Sequence, residues 1–361
     1  MVKSIGLMKM AKAAGCPWDV WMSSWCAANG DLEILKWARD VSGLKWTAQA
    51  CNQAAAAGHL HIVKWMKLQR NAPWDHRTCH LAAANGHVDV LHWARLNGCG
   101  CEDQVLCPLA AAGGHLNVLR WARERECPWN AGTCNEAAKA GHIHVLRWAH
   151  VNGCAWDAST CAAAAEGDQL EALQWLRAQG CPWVSCGLLW EVNLNYGCAW
   201  DASTCAAAVE GDHLEALQWL RAQGCRWDRE TCNKAALKGH LHILKWARAR
   251  GCPWDVQACN AAAYNNHKDV LIWLRENNCP WDVNCANHAA RRGHLDLLQW
   301  ARENGLRWKA STTAEAAMGG QLAVLVYLRQ QNCPWDKRVL INARRHPAVY
   351  AWAMQNNAPQ R

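Results

Sequence analysis

The chain contains no phenylalanine and only 4 tyrosines in 361 residues. It also lacks long apolar runs: the longest are alanine stretches such as 162–165, and mean hydropathy is −0.26. A membrane-spanning helix needs roughly 20 consecutive apolar residues, so none is expected. Lys3, Lys9 and Lys12 interrupt the start of the chain and leave no apolar core for a secretion signal. Charged residues are few, at 19%, while apolar residues reach 51%, which excludes a disordered, tail-like chain. For a chain that is not secreted, the 22 cysteines are expected as reduced thiols in a cytoplasmic setting.

What the chain does have is 26 tryptophans, and their positions expose a repeat. One set sits in a Cys-Pro-Trp-Asp-like turn: Trp18, Trp46, Trp74, Trp129, Trp156, Trp183, Trp200, Trp227, Trp254, Trp281, Trp308 and Trp335. Spacings are 27 or 28, with two exceptions. A gap of 55 spans two units whose shared anchor, residues 99–102, is degenerate, and a gap of 17 marks a truncated unit at 183–199. A second set follows 19 residues after the first, from Trp37 to Trp300. Cysteine keeps the same register, two residues before the anchor or at the start of the next segment.

One unit, residues 126–153, predicts helix–turn–helix–turn. Asn130 after the anchor is a helix N-cap, and the alanine-rich segment to Lys139 is a first helix. Gly141 ends it, and Ile143, Leu146, Trp148 and Ala149 recur at helical spacing in a second helix that stops at Gly153. Two helices of about ten residues cannot bury a face alone, so stacked units must share one continuous core. The expectation is an all-α solenoid of about twelve units over 1–361, closed by a C-terminal cap at 333–361. Near-copies at 152–181 and 196–225 flank the truncated unit, and 184–197 is expected to depart from regular pairing.

The unit resembles an ankyrin repeat. Residues 78–87, Thr-Cys-His-Leu-Ala-Ala-Ala-Asn-Gly-His, are similar to the family's Thr-Pro-Leu-His-x-Ala-Ala-x-x-Gly-His, and Gly98-Cys99 sits where the family has Gly-Ala. Ankyrin units run about 33 residues, and these run 27, the deficit falling before the first helix. The resemblance therefore implies stacked helix pairs with β-hairpin fingers short or absent. Such short, tryptophan-rich units resemble the ankyrin-like arrays of giant DNA viruses of amoebae, which implies a viral protein in a host cytoplasm. Many of those carry an N-terminal F-box; none is visible here, so a missing N-terminal domain is one expectation for the full gene.

Candidate chemistry is thin. Cys134 and His142 lie about 12 Å apart along the chain axis if helical, too far for one zinc ion, so the cysteines read as buried small apolar residues and no metal or cofactor is expected. The histidine after glycine recurs at His59, His87, His115, His142, His240, His267 and His294, which points to a structural role and no catalytic site. Anchor tryptophans read as apolar plugs. A basic residue follows each second-helix tryptophan by two: Arg39, Lys67, Arg95, Arg123, Arg177, Arg221, Arg248, Arg275, Arg302 and Arg329, with His150 once. With a net charge of +8, that row could neutralise phosphates, the alternative function being a nucleic-acid binder. Acidic residues six positions earlier, such as Glu33, Asp89 and Glu215, weaken it.

The favoured reading is a monomeric, non-enzymatic protein-binding scaffold. Its candidate partner-binding positions are variable first-helix residues: Asn135, Glu136, Lys139, Asn233, Lys234, Lys238, Tyr264, Asn265, Asn287, Arg291 and Arg292.

Overall fold

A computed structural model describes residues 20–42, 46–69, 72–181 and 202–359. The truncated unit at 183–199 and its expected irregularity at 184–197 lie outside the described residues. The chain divides into two compact units, Met1–Trp190 and Glu191–Arg361. Among the described residues all regular structure is helical, with no strand, and 24 α-helices form twelve consecutive pairs, six in each unit. Pairs run from Val20–Asn29 with Leu32–Ser42 to Arg338–Ala343 with Pro347–Gln355. Each compact unit is thus an all-α solenoid of helix–turn–helix repeats, and no hairpin finger stands between the described repeats.

Short-range chemistry sets each boundary. Asp75, Asn130, Asp157, Asp228, Asp255 and Asp282 cap first helices, each side chain accepting from the backbone N–H two residues on. Such a cap is worth about 1 kcal/mol. Both turns of a repeat are the same glycine-closed motif. Gly86 is left-handed at φ 81°, and His87 N donates to Ala82 O at 2.9 Å; Gly98 is left-handed at φ 79°, and Cys99 N donates to Ala94 O at 3.0 Å. In that motif the residue after the glycine packs on the helix it closes. This explains why Cys99, Cys154 and Cys252 are buried, and Cys127 and Cys279 as well, where Glu126 and Asn278 take the left-handed position in place of glycine.

Unit length is buffered inside a helix. The 28-residue repeat from Trp46 to Trp74 continues its second helix, Leu60–Lys64, into a π-turn at Trp65–Gln69. Ala72 N then reaches back six residues to Met66 O (3.0 Å), where the 27-residue repeats reach back five. A π-turn absorbs one inserted residue without disturbing the stacking.

Repeats stack mainly first helix on first helix. Alanines at 82 and 83, 137 and 138, 235 and 236, and 289 and 290 are fully buried in that seam and let backbones approach closely. The second interlock pairs glycine with histidine. His87 Nε2 meets Ala56 O at 3.1 Å, His142 meets Ala112 O at 3.0 Å, and His267 meets Leu237 O at 3.0 Å, each one repeat back. The imidazole fills the space beside the preceding repeat's glycine: a Cβ on Gly239 would lie 2.6 Å from His267 Nδ1. The recurrent histidine is therefore a rivet to the neighbouring repeat.

Gly239 and Gly251 separate the two demands on these glycines. Both have positive φ, 82° and 80°, but a Cβ on Gly251 meets nothing within 4 Å. Gly251→Ala should cost about 1 kcal/mol of backbone strain. Gly239→Ala should cost clearly more, because it also expels His267. Chemical denaturation of both variants checks this; equal costs would remove the imidazole from the interlock.

Candidate functional site

The basic row is committed to the frame. Arg329 lies over the Trp335 ring at 4.2 Å and donates to Cys333 O at 2.8 Å; Arg248 lies over Trp254 at 4.3 Å and donates to Cys252 O at 3.1 Å. Arg123, Arg221 and Arg275 make the same two contacts with Trp129, Trp227 and Trp281 and with Cys127, Cys225 and Cys279. His150, the one exception in type, stacks on Trp156 at 3.8 Å and 16°. Where the anchor tryptophan is missing, Arg95 turns instead to Asp103 at 2.8 Å and to Trp121. Each described anchor indole also meets an aromatic ring on its own repeat's second helix edge to face, as in Trp254 with Trp273 at 5.7 Å and Trp308 with Tyr327 at 5.9 Å. The described anchors are consequently half-buried, apart from Trp308, which is buried. They form a ladder of aromatic edges and guanidinium faces, where the sequence suggested sealed apolar plugs.

The cysteines are spatially paired in a way the linear unit conceals. The first-helix thiol faces the cysteine twenty residues later: Cys205 Sγ lies 3.0 Å from Cys225 Sγ, and Cys79, Cys134, Cys232 and Cys259 stand beside Cys99, Cys154, Cys252 and Cys279, whose own thiols donate to the carbonyls of Asp75, Asn130, Asp228 and Asp255. The bond to the partner thiol, together with burial, pushes Cys232 and its equivalents well above the usual thiol range. Burial alone dominates at Cys51, Cys107 and Cys285, each pushed up to about 12. Among the described residues no cluster of three or more His, Cys, Asp or Glu is placed to hold a metal ion. No described helix is long and apolar enough to cross a membrane.

The eleven candidate partner-binding positions divide by what they touch. Asn135 donates to Ser159 Oγ and accepts from Thr160 Oγ1, both at 2.7 Å, and Asn287 accepts from Ser311 and Thr312. Asn265 donates to Leu237 O at 2.8 Å. Lys139 pairs with Glu166, Lys234 with Glu210 and Arg291 with Glu315. Arg292 lies 4.1 Å over the Tyr264 ring. All these contacts cross to an adjacent repeat. Half-exposed ion pairs of this kind contribute about 0–1 kcal/mol. Glu136 and Lys238 are exposed, and Asn233 is buried.

Three of the eleven, Asn233, Lys234 and Tyr264, come together in the second compact unit. They line a groove of about 270 Å³ along first helices Arg229–Lys238, Val256–Tyr264 and Val283–Arg292, with Glu230, Asn260 and His288. Burial holds the His288 imidazole below its ordinary range. Sequence reasoning passed over Glu230, Asn260 and His288. The available signal was a register rule: asparagine six residues after an anchor meets threonine four residues after the next anchor.

No known family model matches the sequence, and no curated protein does. Solved structures similar in fold include the pentatricopeptide repeat protein PPR10 in complex with an 18-nt psaJ RNA element, at 13% identity and TM-score 0.35. That match covers 97% of this chain and 60% of the other, so this chain spans less than two thirds of that protein's length. Another is the human ASB11 ankyrin repeat domain, at 18% identity and TM-score 0.35, covering 49% of this chain and 84% of that one.

Two outcomes follow from this geometry. Arg329→Met should destabilise the fold by about 1–2 kcal/mol, losing a cation–π contact and a carbonyl hydrogen bond together; an unchanged denaturation midpoint would show the ladder to be decorative. The buried thiols of Cys51, Cys107 and Cys285 should resist iodoacetamide in the native protein at pH 8 and react on unfolding. Mass spectrometry reads each site, and rapid native labelling would contradict the burial.

Proposed function

We propose that the chain is a non-enzymatic scaffold of ankyrin-like repeats that binds a partner protein through its first-helix side. One observation carries this reading: the template residues able to do chemistry are spent on the frame. Histidines bond carbonyls of the preceding repeat, arginines lie on indoles, and cysteines are buried in pairs. What varies from repeat to repeat is the outward row of the first helices, and that is where selectivity belongs. The same observation weighs against the nucleic-acid alternative, since the second-helix guanidiniums already have partners. Phosphate binding through that row would compete with cation–π contacts of about 0.5–2 kcal/mol each. The short tryptophan-rich unit supports placing the chain beside the ankyrin-like arrays of giant DNA viruses, acting as a monomer in a cytoplasm.

In the second compact unit Lys238, exposed on its first helix, belongs to the proposed face with Asn233, Lys234 and Tyr264; in the first unit Glu136 is exposed on the equivalent first-helix side. Replacing Glu136 and Lys238, both exposed, by alanine in one variant should leave the unfolding free energy within about 1 kcal/mol of the parent, as surface changes usually do. It should weaken partner capture. The assay is affinity capture from amoebal lysate at two salt concentrations with and without nuclease. Capture that vanishes with nuclease or collapses at the higher salt, and that tracks reversal of the Arg248, Arg275 and Arg329 charges, would select the nucleic-acid reading instead.

A further inference from the structure

At two adjacent interfaces the repeat frame keeps an asparagine whose usual hydrogen-bonding threonine is missing. Asparagine six residues after an anchor accepts a hydrogen bond from threonine four residues after the next: Thr78 Oγ1 to Asn52 Oδ1 at 2.7 Å, Thr160 to Asn135 at 2.7 Å, and Thr312 to Asn287 at 2.9 Å. After Asn233 the threonine position is Ala258, and after Asn260 it is Cys285. Cys285 Sγ is directed to Cys259 O instead, at 3.8 Å. Asn233 and Asn260 are only 8% and 3% exposed, and neither Oδ1 receives a hydrogen bond. A buried carbonyl acceptor left without a donor costs free energy, so native proteins rarely keep one without a use. Here two occur on consecutive repeats, and both line the same groove.

The groove's charge identifies what would satisfy them. Glu230 brings an exposed carboxylate to its edge. Lys234 is neutralised by Glu210, and burial disfavours a charged His288. The groove thus offers carboxamide acceptors and a carboxylate, and its one ammonium is already paired. Donor-only side chains are those of lysine, arginine and tryptophan. A guanidinium alone carries five donors in a planar fork, enough to bridge two carbonyl acceptors and a carboxylate together. Tyr264, packed edge-on against His288 at 5.6 Å, walls the groove and already carries the Arg292 guanidinium on its ring.

We propose that this groove binds an arginine side chain presented by a partner protein, with Asn233 Oδ1, Asn260 Oδ1 and the Glu230 carboxylate as its acceptors. The proposal rests on the protein-binding reading and adds the site and the chemistry recognised. Its test uses repair in place of damage. Threonine is fully buried in the equivalent slot at positions 78, 160 and 312, so Ala258→Thr with Cys285→Thr should mend both missing bonds and keep or raise stability while closing the acceptors to a ligand.

A phage-displayed library of random dodecapeptides is first passed over the repaired full-length variant and then selected on the parent chain. Surviving peptides should share an arginine. A synthetic copy should bind the parent about 10- to 100-fold more tightly than it binds the repaired variant or Glu230→Gln, the loss of a charge-assisted hydrogen bond. Changing that arginine to citrulline should cost a similar factor. Survivors that share a lysine, survivors with no common cation, or an absence of survivors would each overturn the proposal. If native partner capture persists and the repaired variant captures equally well, the groove assignment falls and the scaffold reading stands. Failure of capture by the parent itself would remove the scaffold reading.

Discussion

Everything in this fold depends on how one repeat grips the next, and the glycine–histidine interlock does the gripping. A left-handed glycine ends most described first helices, and the imidazole from the following repeat occupies the space a side chain would fill while its Nε2 meets one of that helix's last carbonyls. Helix ends leave carbonyls without internal partners. The interlock satisfies one of them and sets the stacking register in the same contact. Where histidine is replaced, the space is still used: Gln169 and Gln321 approach Gly141 and Gly293. Where the glycine is replaced by left-handed Asp212, His240 Nδ1 lies 3.0 Å from its carboxylate.

The tryptophan ladder does the complementary work on the other side. Second helices hardly touch one another, so alanine seams hold only the first-helix side. Arginine on indole, indole edge on indole face, and guanidinium to cysteine carbonyl bridge the gap between successive second helices. A cation–π contact with a carbonyl hydrogen bond at five steps, and a cation–π contact alone at Arg39, Lys67 and Arg302, sum to a cohesive edge although each is modest. Lys67 over Trp74 and His150 on Trp156 keep the contact with a different cation or ring, so the position tolerates change while a flat or cationic group is retained.

Helix limits were legible in the residues. Capping Asp and Asn, left-handed glycine and the 3.6-residue apolar spacing act within a few residues of each other, and the helices Ala131–Lys139 and Ile143–Val151 fall where Asn130, Gly141 and Gly153 require. The structural meaning of the histidine was legible too, because a residue recurring in register is more suited to a frame than to a reaction. The candidate face was only half legible. Variability picked out Asn135 and Asn287, yet these are inter-repeat bonding residues, since the threonines they meet stand 25 positions away. Asn260 was passed over because its significance is a missing partner, visible only when the hydrogen bond in neighbouring repeats is known.

Local patterning was enough to specify the repeat, its length, the two helices in each copy and the absence of a long apolar segment, because periodic side chains and caps act over short chain distances. Packing between repeats settled which surfaces remain available. Guanidiniums that look like a phosphate-binding row are turned onto indoles of the next repeat, thiols that look adjacent across a turn pair instead with cysteines twenty residues on, and two asparagines of one template differ in role from their copies because the facing residue changed. These outcomes depend on contacts between repeats, where a single substitution in one copy alters the environment of another.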